Sequence, residues 1–519
     1  MNGAENLLQT LEQAGIEVCF ANPGTSEMHL VAAIGRSQRV HPVLCLFEGV
    51  ASGAADGYAR MTDKPALTLL HLGPGFANSM ANQHNAMRAR VPLVNMVGDH
   101  ATWHRRYDAP LTSDIAAHAS IYSDWVRASD SADDLALAGA QAVQASLRGA
   151  GKVATIIAPA NHAWEDAAIP TAPLPATGLE AVEADVIEAA AAYLGNGKRS
   201  VVFLGARALR EGSLRAAGRI AEATGARLIC EVFPTRLERG AGRVAVERLP
   251  YFAEVAVAFL EGTEQILLVG AEAPVAFFAY PGKPSCLLPE GCVTESLATP
   301  DQDARAALEA VAGRLNAQTE REPVPAVTDV PSPVGALSPL SIGQSLTRCL
   351  PANAVIVDEA ATCGLAIFPA TAQAPPHDWL TLTGGAIGIG LPLAVGAAIA
   401  CPHRKVVALQ ADGSAMYTLQ ALWTLARERA DVLVVIMNNR SYAILNIELA
   451  RVGAGLPNAT TLSMLDLGNP SLDFVALATG MGVPASRASS AEEFEAQFAV
   501  AVANHGPRLI EAMVTQQSP

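Results

Sequence analysis

A chain of 519 residues has room for about three domains at roughly 100–200 residues each. With half its residues hydrophobic and only 16% charged, it can bury large cores. Its 35 Lys and Arg against 50 Asp and Glu leave a formal charge of −15, which argues against nucleic acid or an anionic membrane as partner. Aromatic residues make up 5%, while Ala, Gly, Val and Leu abound, a mix suited to close helix–sheet layers.

The first stretch, "MNGAENLLQTLEQAG", is amphipathic and carries acidic residues but no basic leader, so it reads as a first helix rather than a signal peptide. The runs "EVCFAN", "VLCLF", "ALTLLHL" and "PLVNMVG" follow as strand candidates with helical patterns between them. A proline-bearing stretch, 166–180, then reads as a linker. Beyond it, "SVVFLG", "RLICEV" and "QILLVG" repeat the alternation, until a second proline-rich stretch at 319–339. The last part offers "AVIVDE", "VVALQ", "VLVVIMNN" and "RLIEAMV". Its longest apolar run, "GGAIGIGLPLAVGAAIAC", is Gly-rich and contains Pro392, which fits a buried helix better than a membrane span. The expected architecture is α/β: three doubly wound domains with parallel sheets, at about 1–165, 180–315 and 338–519. The eight cysteines show no CxxC or CxxH spacing, and several lie in apolar runs, as free thiols in a reducing cytoplasm would.

Ligands on such sheets bind beyond the carboxyl ends of the strands. Asp412 ends one apolar run and Asn439 the next, 27 residues later. A right-handed βαβ unit returns the two strand ends to each other's side. Paired side-chain oxygens with open positions suit Mg²⁺, which accepts phosphate oxygens as further ligands. Gly413 would let backbone approach a phosphate, and Ser414 would open a helix whose N-terminus favours anions. Taken alone, Asp-Gly-Ser is an ordinary helix-capping turn; Asn-Asn at this spacing sharpens the signal.

Asp412-Gly413-Ser414 with Asn438-Asn439 resembles the cofactor motif of thiamine-diphosphate enzymes, and the three-part plan resembles their pyrimidine-binding, central and diphosphate-binding domains. Ala411 departs from the family's usual Gly; an Ala is accommodated there if its φ is negative. The resemblance implies thiamine diphosphate and Mg²⁺ as cofactors, with Asp412, Asn439 and the carbonyl of Ser441 on the metal, and Ser414, Tyr417 and Tyr442 near the diphosphate. It implies that Glu48, in "LCLFEGVASGAADGYAR", hydrogen-bonds a ring nitrogen of the aminopyrimidine, whose imino form generates the ylide. Ile387 would be the wedge that bends the cofactor, and the Gly385 carbonyl would accept from the pyrimidine amine. Relatives place the glutamate and the aspartate on opposite sides of a subunit interface, which implies a homodimer at minimum and a homotetramer as a common form.

The segments "FANPGTSEMHL" and "LTLLHLGPGFANSMANQHNA" are similar to those of benzoylformate decarboxylases in their spacing. Thr25 would bind a 2-oxoacid carboxylate, and His71 would relay protons. The second histidine of those enzymes is missing: the stretch holds Phe277, Phe278, Ala279 and Tyr280. Leu445 stands where pyruvate decarboxylases have a glutamate, and Gly49 follows Glu48 where acetohydroxyacid synthases favour glutamine. Pocket walls are expected from Leu111, 276–280 and 444–448. Arg105 and Arg106, in "GDHATWHRRYDAPLTSD", sit in a loop that is either solvated or an anion site for a dianionic substrate. The expected function is non-oxidative 2-oxoacid decarboxylation through an enamine. Carboligation of the acetolactate synthase type and a non-catalytic, cofactor-binding homologue are the alternatives. No convincing flavin site is evident, and GxGxxG after a first strand is absent.

Overall fold

The computed structural model describes residues 1–317 and 330–515. Of the proline-rich 319–339 stretch, 319–329 lie outside the described residues.

Three sheets form. The first joins β1 (Val18–Asn22), β2 (His41–Leu44), β3 (Ala66–Leu70), β4 (Leu93–Asp99), β5 (Trp125–Ala128) and β6 (Val153–Pro159) in the order β2-β1-β3-β4-β6-β5, all parallel. The second holds β7 (Ser200–Leu204), β8 (Arg227–Cys230), β10 (Glu247–Arg248), β11 (Gln265–Val269) and β12 (Val293–Ala298), again parallel, in the order β10-β8-β7-β11-β12. The third takes β13 (Ala354–Glu359), β14 (His377–Thr381), β15 (Val406–Ala411), β16 (Val432–Asn438), β17 (Ala485–Ala488) and β18 (Arg508–Met513), and gains β9 (Leu237–Arg239) from the middle of the chain. Its order is β17-β18-β16-β15-β13-β14-β9, with only β9 antiparallel.

Each expected strand forms within a residue or two of its apolar run, except that "VLCLF" is anticipated by β2 and already leaves the sheet at Leu44. Strands β5, β9, β10, β12, β14 and β17 carry polar residues along much of their length, which hides them from a search for apolar runs.

Helices cover both sheet faces. One continuous apolar layer lies between the first and third sheets, taking Phe20, Leu70 and Val97 from one and Val355, Ala408 and Val434 from the other. Its centre is the crossing of α1 (Glu48–Thr62) with a later helix, α3 (Gly390–Ala400). The crossing brings backbone against backbone: a Cβ on Gly396 would lie 1.8 Å from the Ala54 carbonyl oxygen, and one on Gly57 would lie 2.2 Å from that of Leu393. A second layer joins the middle sheet to the other face of the third. Within it, the buried His377 donates from Nδ1 to the Pro375 carbonyl at 2.8 Å. At the end of β14, Arg60 stitches the three segments together. It pairs with Asp56 at 2.7 Å with both side chains fully buried, and donates to the carbonyls of Thr381 at 2.6 Å and Thr235 at 3.2 Å.

Gly396→Ala should cost about 3 kcal/mol or more, because the nearest atoms are main chain and cannot rotate away; the urea midpoint of the variant measures it. His377 supplies a pH test. Burial, helped by the Arg239 charge, pushes it from 6.5 down to about 3, so the folded chain keeps it neutral. The unfolded chain takes up that proton as pH falls through 6.5, so this residue subtracts stability from there down towards pH 3. Going from pH 7 to pH 5, the urea midpoint of His377→Gln should therefore fall less than that of the wild type.

Candidate active site

Two groups of polar residues stand at the carboxyl ends of the first and third sheets. In the first, Glu48 is the first residue of α1 and is buried. Asn78 donates from Nδ2 to its Oε2 at 3.0 Å. Asn78 lies on α2 (Leu72–Ala89), and His71 caps that helix. The other carboxylate oxygen, Oε1, faces Gly75, where a Cβ would lie 3.0 Å away.

His71 has a partner that the sequence reading passed over. Glu27, fully buried, sits with Oε2 2.8 Å from His71 Nδ1. The same Oε2 accepts from the Gly24 N–H at 2.8 Å, and Oε1 accepts from the Ser26 hydroxyl at 2.5 Å. A carboxylate on Nδ1 fixes the ring orientation and directs Nε2 outward. Gly24 has to be small here, since a Cβ would overlap the imidazole at 2.1 Å. Thr25 is exposed at the start of a short 3₁₀ turn, and the hydroxyl beside His71 is that of Ser26, at 3.3 Å. A carboxylate two residues beyond Thr25, just past a strand end, was the available signal for Glu27.

In the second group Asp412 opens the short helix α4 (Asp412–Ala415) at the end of β15. Its Oδ1 accepts from the Gly413 N–H at 2.8 Å; its Oδ2 accepts from Asn439 at 3.1 Å and Arg440 at 2.7 Å, just past the end of β16. Burial raises the Asp412 pKa above the ordinary carboxylate value, while these N–H groups pull the other way. Asn439 Oδ1 accepts from the Ser441 N–H at 2.9 Å, so hydrogen bonds link Asp412, Asn439 and Ser441 in one loop cluster. Ala411 has φ −77° and ψ 150°, extended backbone open to any residue, which is why it can replace glycine. Ser414 receives a hydrogen bond from Gln410 Nε2 at 2.5 Å. Tyr442 packs over Gly413, where a Cβ would meet its ring at 2.3 Å, and Tyr417 is half exposed.

The turn before α3 carries Gly385 and Ile387. Gly385 has φ +75°, a conformation that favours glycine, and the ring of Phe277 lies against it, 2.7 Å from where a Cβ would be. Ile387 is 37% exposed, high for an isoleucine next to a buried helix. The buried Glu359, at the end of β13, holds the turn: it accepts from the N–H groups of Gly388 at 2.6 Å and Gly390 at 2.8 Å, and from Gln410 at 2.8 Å. Burial drives its pKa up, opposed by those donors.

Phe277 belongs to an aromatic cluster with Phe233, Tyr251 and Phe278, at centroid separations of 5.3–5.5 Å. This cluster stands beside α5 (Ala443–Arg451), where Glu448 pairs with Arg451 at 2.7 Å and Leu445 is exposed. In the 98–114 loop, Arg105 pairs with Asp99 at 2.5 Å, and Arg106 lies 4.8 Å over the Tyr107 ring. The charge of Arg105 is thus already answered inside the loop. Leu111 is exposed.

Among the described residues, no three His, Cys, Asp or Glu side chains gather to hold a metal by themselves. One carboxylate, one amide oxygen and one carbonyl at two strand ends form a set that fits a hard cation whose remaining ligands come from a phosphate. Among the described residues, no helix is long and apolar enough to cross a membrane.

The N-terminal TPP-binding domain of thiamine pyrophosphate enzymes matches residues 1–119, and their C-terminal TPP-binding domain matches residues 362–512. A Mycobacterium tuberculosis protein described as a candidate acetolactate synthase large subunit, IlvX, is 52% identical over 516 residues, 99% of each chain. Benzoylformate decarboxylase of Pseudomonas aeruginosa is 29% identical over 541 residues, 97% of each chain. Among solved structures, the thiamine diphosphate-dependent 4-hydroxybenzoylformate decarboxylase of Rhodococcus jostii RHA1 superposes over the whole of both chains with a TM-score of 0.87 at 25% identity. Parallel three-sheet architecture, the strand-end carboxylate and these matches converge: the chain belongs to the thiamine pyrophosphate enzyme family.

Proposed function

We propose that this enzyme binds thiamine diphosphate through Mg²⁺ at Asp412, Asn439 and the Ser441 carbonyl and removes carbon dioxide from a 2-oxoacid. The observation that carries the reading is the Asp412 carboxylate, buried and spanning the ends of β15 and β16. Bound there, the cofactor supplies a nucleophilic carbon and an electron sink. Glu48, with Oε2 held by Asn78, has Oε1 in place to hydrogen-bond a ring nitrogen and hold a proton on it. Thr25 and the Gly24–Ser26 turn orient the substrate carboxylate. His71, with Nδ1 on Glu27, exchanges a proton with substrate through Nε2. Gly413 and Ser414 receive the diphosphate, flanked by Tyr417 and Tyr442; Gly385 and Ile387 support the rings. The three domains run at about 1–165, 180–315 and 338–519, with β9 lent from the second to the third sheet.

We place the enzyme in the cytoplasm as a homodimer at minimum, with a homotetramer as the expected form. Exposed Leu46, two residues before Glu48, and exposed Ile387 and Tyr417 support this reading, as apolar surface that another chain would cover.

A second reading is carboligation of the acetolactate synthase type. Phe277 and Phe278 favour it: where a second proton relay would stand, they present hydrocarbon, which leaves time for a second carbonyl compound to react.

Carbon dioxide release from a panel of 2-oxoacids, with and without aldehyde acceptors, decides between the two. Glu48→Gln should lower kcat about 100-fold or more; unchanged turnover, or no turnover of any 2-oxoacid by the wild type with thiamine diphosphate and Mg²⁺, sinks the proposal. Glu27→Gln, which leaves His71 without its carboxylate, should lower kcat about tenfold or more with little effect on KM. Steady-state kinetics on the same substrate checks it.

A further inference from the structure

The turn that carries Gly385 is gripped from a second side. Asn85, in the last part of α2 and fully buried, reaches it from the first sheet's domain. Its Oδ1 accepts from the N–H groups of Gly384 at 3.1 Å and Ala386 at 3.2 Å. Its Nδ2 donates to the Ala386 carbonyl at 2.8 Å and to Asn82 Oδ1 at 3.0 Å. Two lone pairs and two N–H groups are all a side-chain amide has, and all four are used. The two donors on Oδ1 also settle which end of the amide is oxygen. Main chain takes part as well: the Thr383 hydroxyl donates to the Asn85 carbonyl at 2.8 Å. The neighbouring His84 donates from Nε2 to the Gly384 carbonyl at 3.0 Å.

The carbonyls of Gly384 and Ala386 are therefore both drawn to α2. Between them stands Gly385 at φ +75°, whose carbonyl neither His84 nor Asn85 claims. Asn82 extends the chain of amides, donating to the Gly49 carbonyl at 2.8 Å, one residue from Glu48.

We infer that Asn85 is a positioning residue: it imitates a peptide unit, pairs with Ala386 in both directions, and fixes the Gly385 carbonyl for the cofactor's amino group. Aspartate keeps the acceptor but loses both donors, and alanine loses all four bonds. The inference rests on the cofactor assignment made under the proposed function, and it adds a residue from outside both cofactor motifs.

Titrating the full-length apoenzyme with thiamine diphosphate and Mg²⁺ by calorimetry tests it. Asn85→Ala and the isosteric Asn85→Asp should each raise the cofactor's Kd about tenfold or more. Amide hydrogen exchange in the 382–389 peptide of the apoenzyme should speed up in both. Gln83→Met provides the comparison, because Gln83 is buried on the same helix but bonds Asn95 at 2.7 Å, away from the turn. It should lower Tm yet leave Kd and the 382–389 exchange as in the wild type. Wild-type protein that binds no thiamine diphosphate overturns the cofactor assignment itself. Wild-type binding with an unchanged Kd in a folded Asn85 variant overturns the role of Asn85 alone, as does a Gln83→Met variant that weakens binding equally.

Discussion

The backbone contact between α1 and α3 governs the geometry of everything else. Ala54 and Gly396 meet with no side chain between them, and Gly57 does the same against Leu393. Helices this close behave as one rigid layer, because packed interiors resist small displacements. Both helices begin at residues of the candidate site: α1 at Glu48, and α3 directly after the turn with Gly385 and Ile387. Fixing the crossing therefore fixes two loop ends at once. The apolar layer on either side, from Phe20 to Val434, supplies the energy; the glycines set the distance.

On that frame, loops are held by buried carboxylates that bind main-chain N–H groups. Glu27 takes the N–H of Gly24, Glu359 those of Gly388 and Gly390, and Asp412 those of Gly413, Asn439 and Arg440. A buried carboxylate without partners is costly, and charge-assisted bonds to N–H groups offset much of that cost. The result is geometric. Each carboxylate ties together strands or turns that the sequence separates, and each lies at the carboxyl end of a parallel sheet, where ligands bind. Burial still leaves Glu359 and Asp412 above the ordinary carboxylate range, so the donors only partly compensate.

Local sequence carries some of this and not the rest. Asp412 and Asn439 were legible because a βαβ unit converts a fixed spacing into proximity, and the apolar runs on both sides mark the strand ends; Ser441 came from the resemblance to thiamine-diphosphate enzymes. Glu48 and His71 stand just after such runs, but it was the resemblance to thiamine-diphosphate enzymes and benzoylformate decarboxylases that marked them. Glu27 was only half legible: its place just past a strand end is visible, but its partner His71 lies 44 residues away, just past the end of β3, and nothing within "TSEMH" points to that pairing. Glu359 reaches the 388–390 turn across about 30 residues, and Asn85 reaches 384–386 across about 300. Such pairings depend on how whole domains dock. Strand β9 makes the same point, since Leu237–Arg239 is short, polar and only becomes a strand because β14 offers an edge.

The distribution of polar groups around the site bears on the choice between the two chemistries. On the side of the first sheet, His71, Glu27 and Ser26 form a connected set able to move a proton. On the side of the middle sheet, Phe277 covers Gly385 and is backed by Phe233, Tyr251 and Phe278. In the proposed dimer, the proton-carrying set of one subunit would face the aromatic cluster of the other, so proton traffic and hydrocarbon would come from different chains. A decarboxylase needs one proton delivered to the carbon that carbon dioxide leaves, and under the proposed function that proton would come through His71. A ligase needs the proton withheld until an acceptor has docked, and an aromatic wall serves that purpose. Under the proposed function, an aldehyde would be released when His71 protonates the carbon first and a new bond would form when an acceptor reaches it first, so the reach of the imidazole held by Glu27 would set the balance.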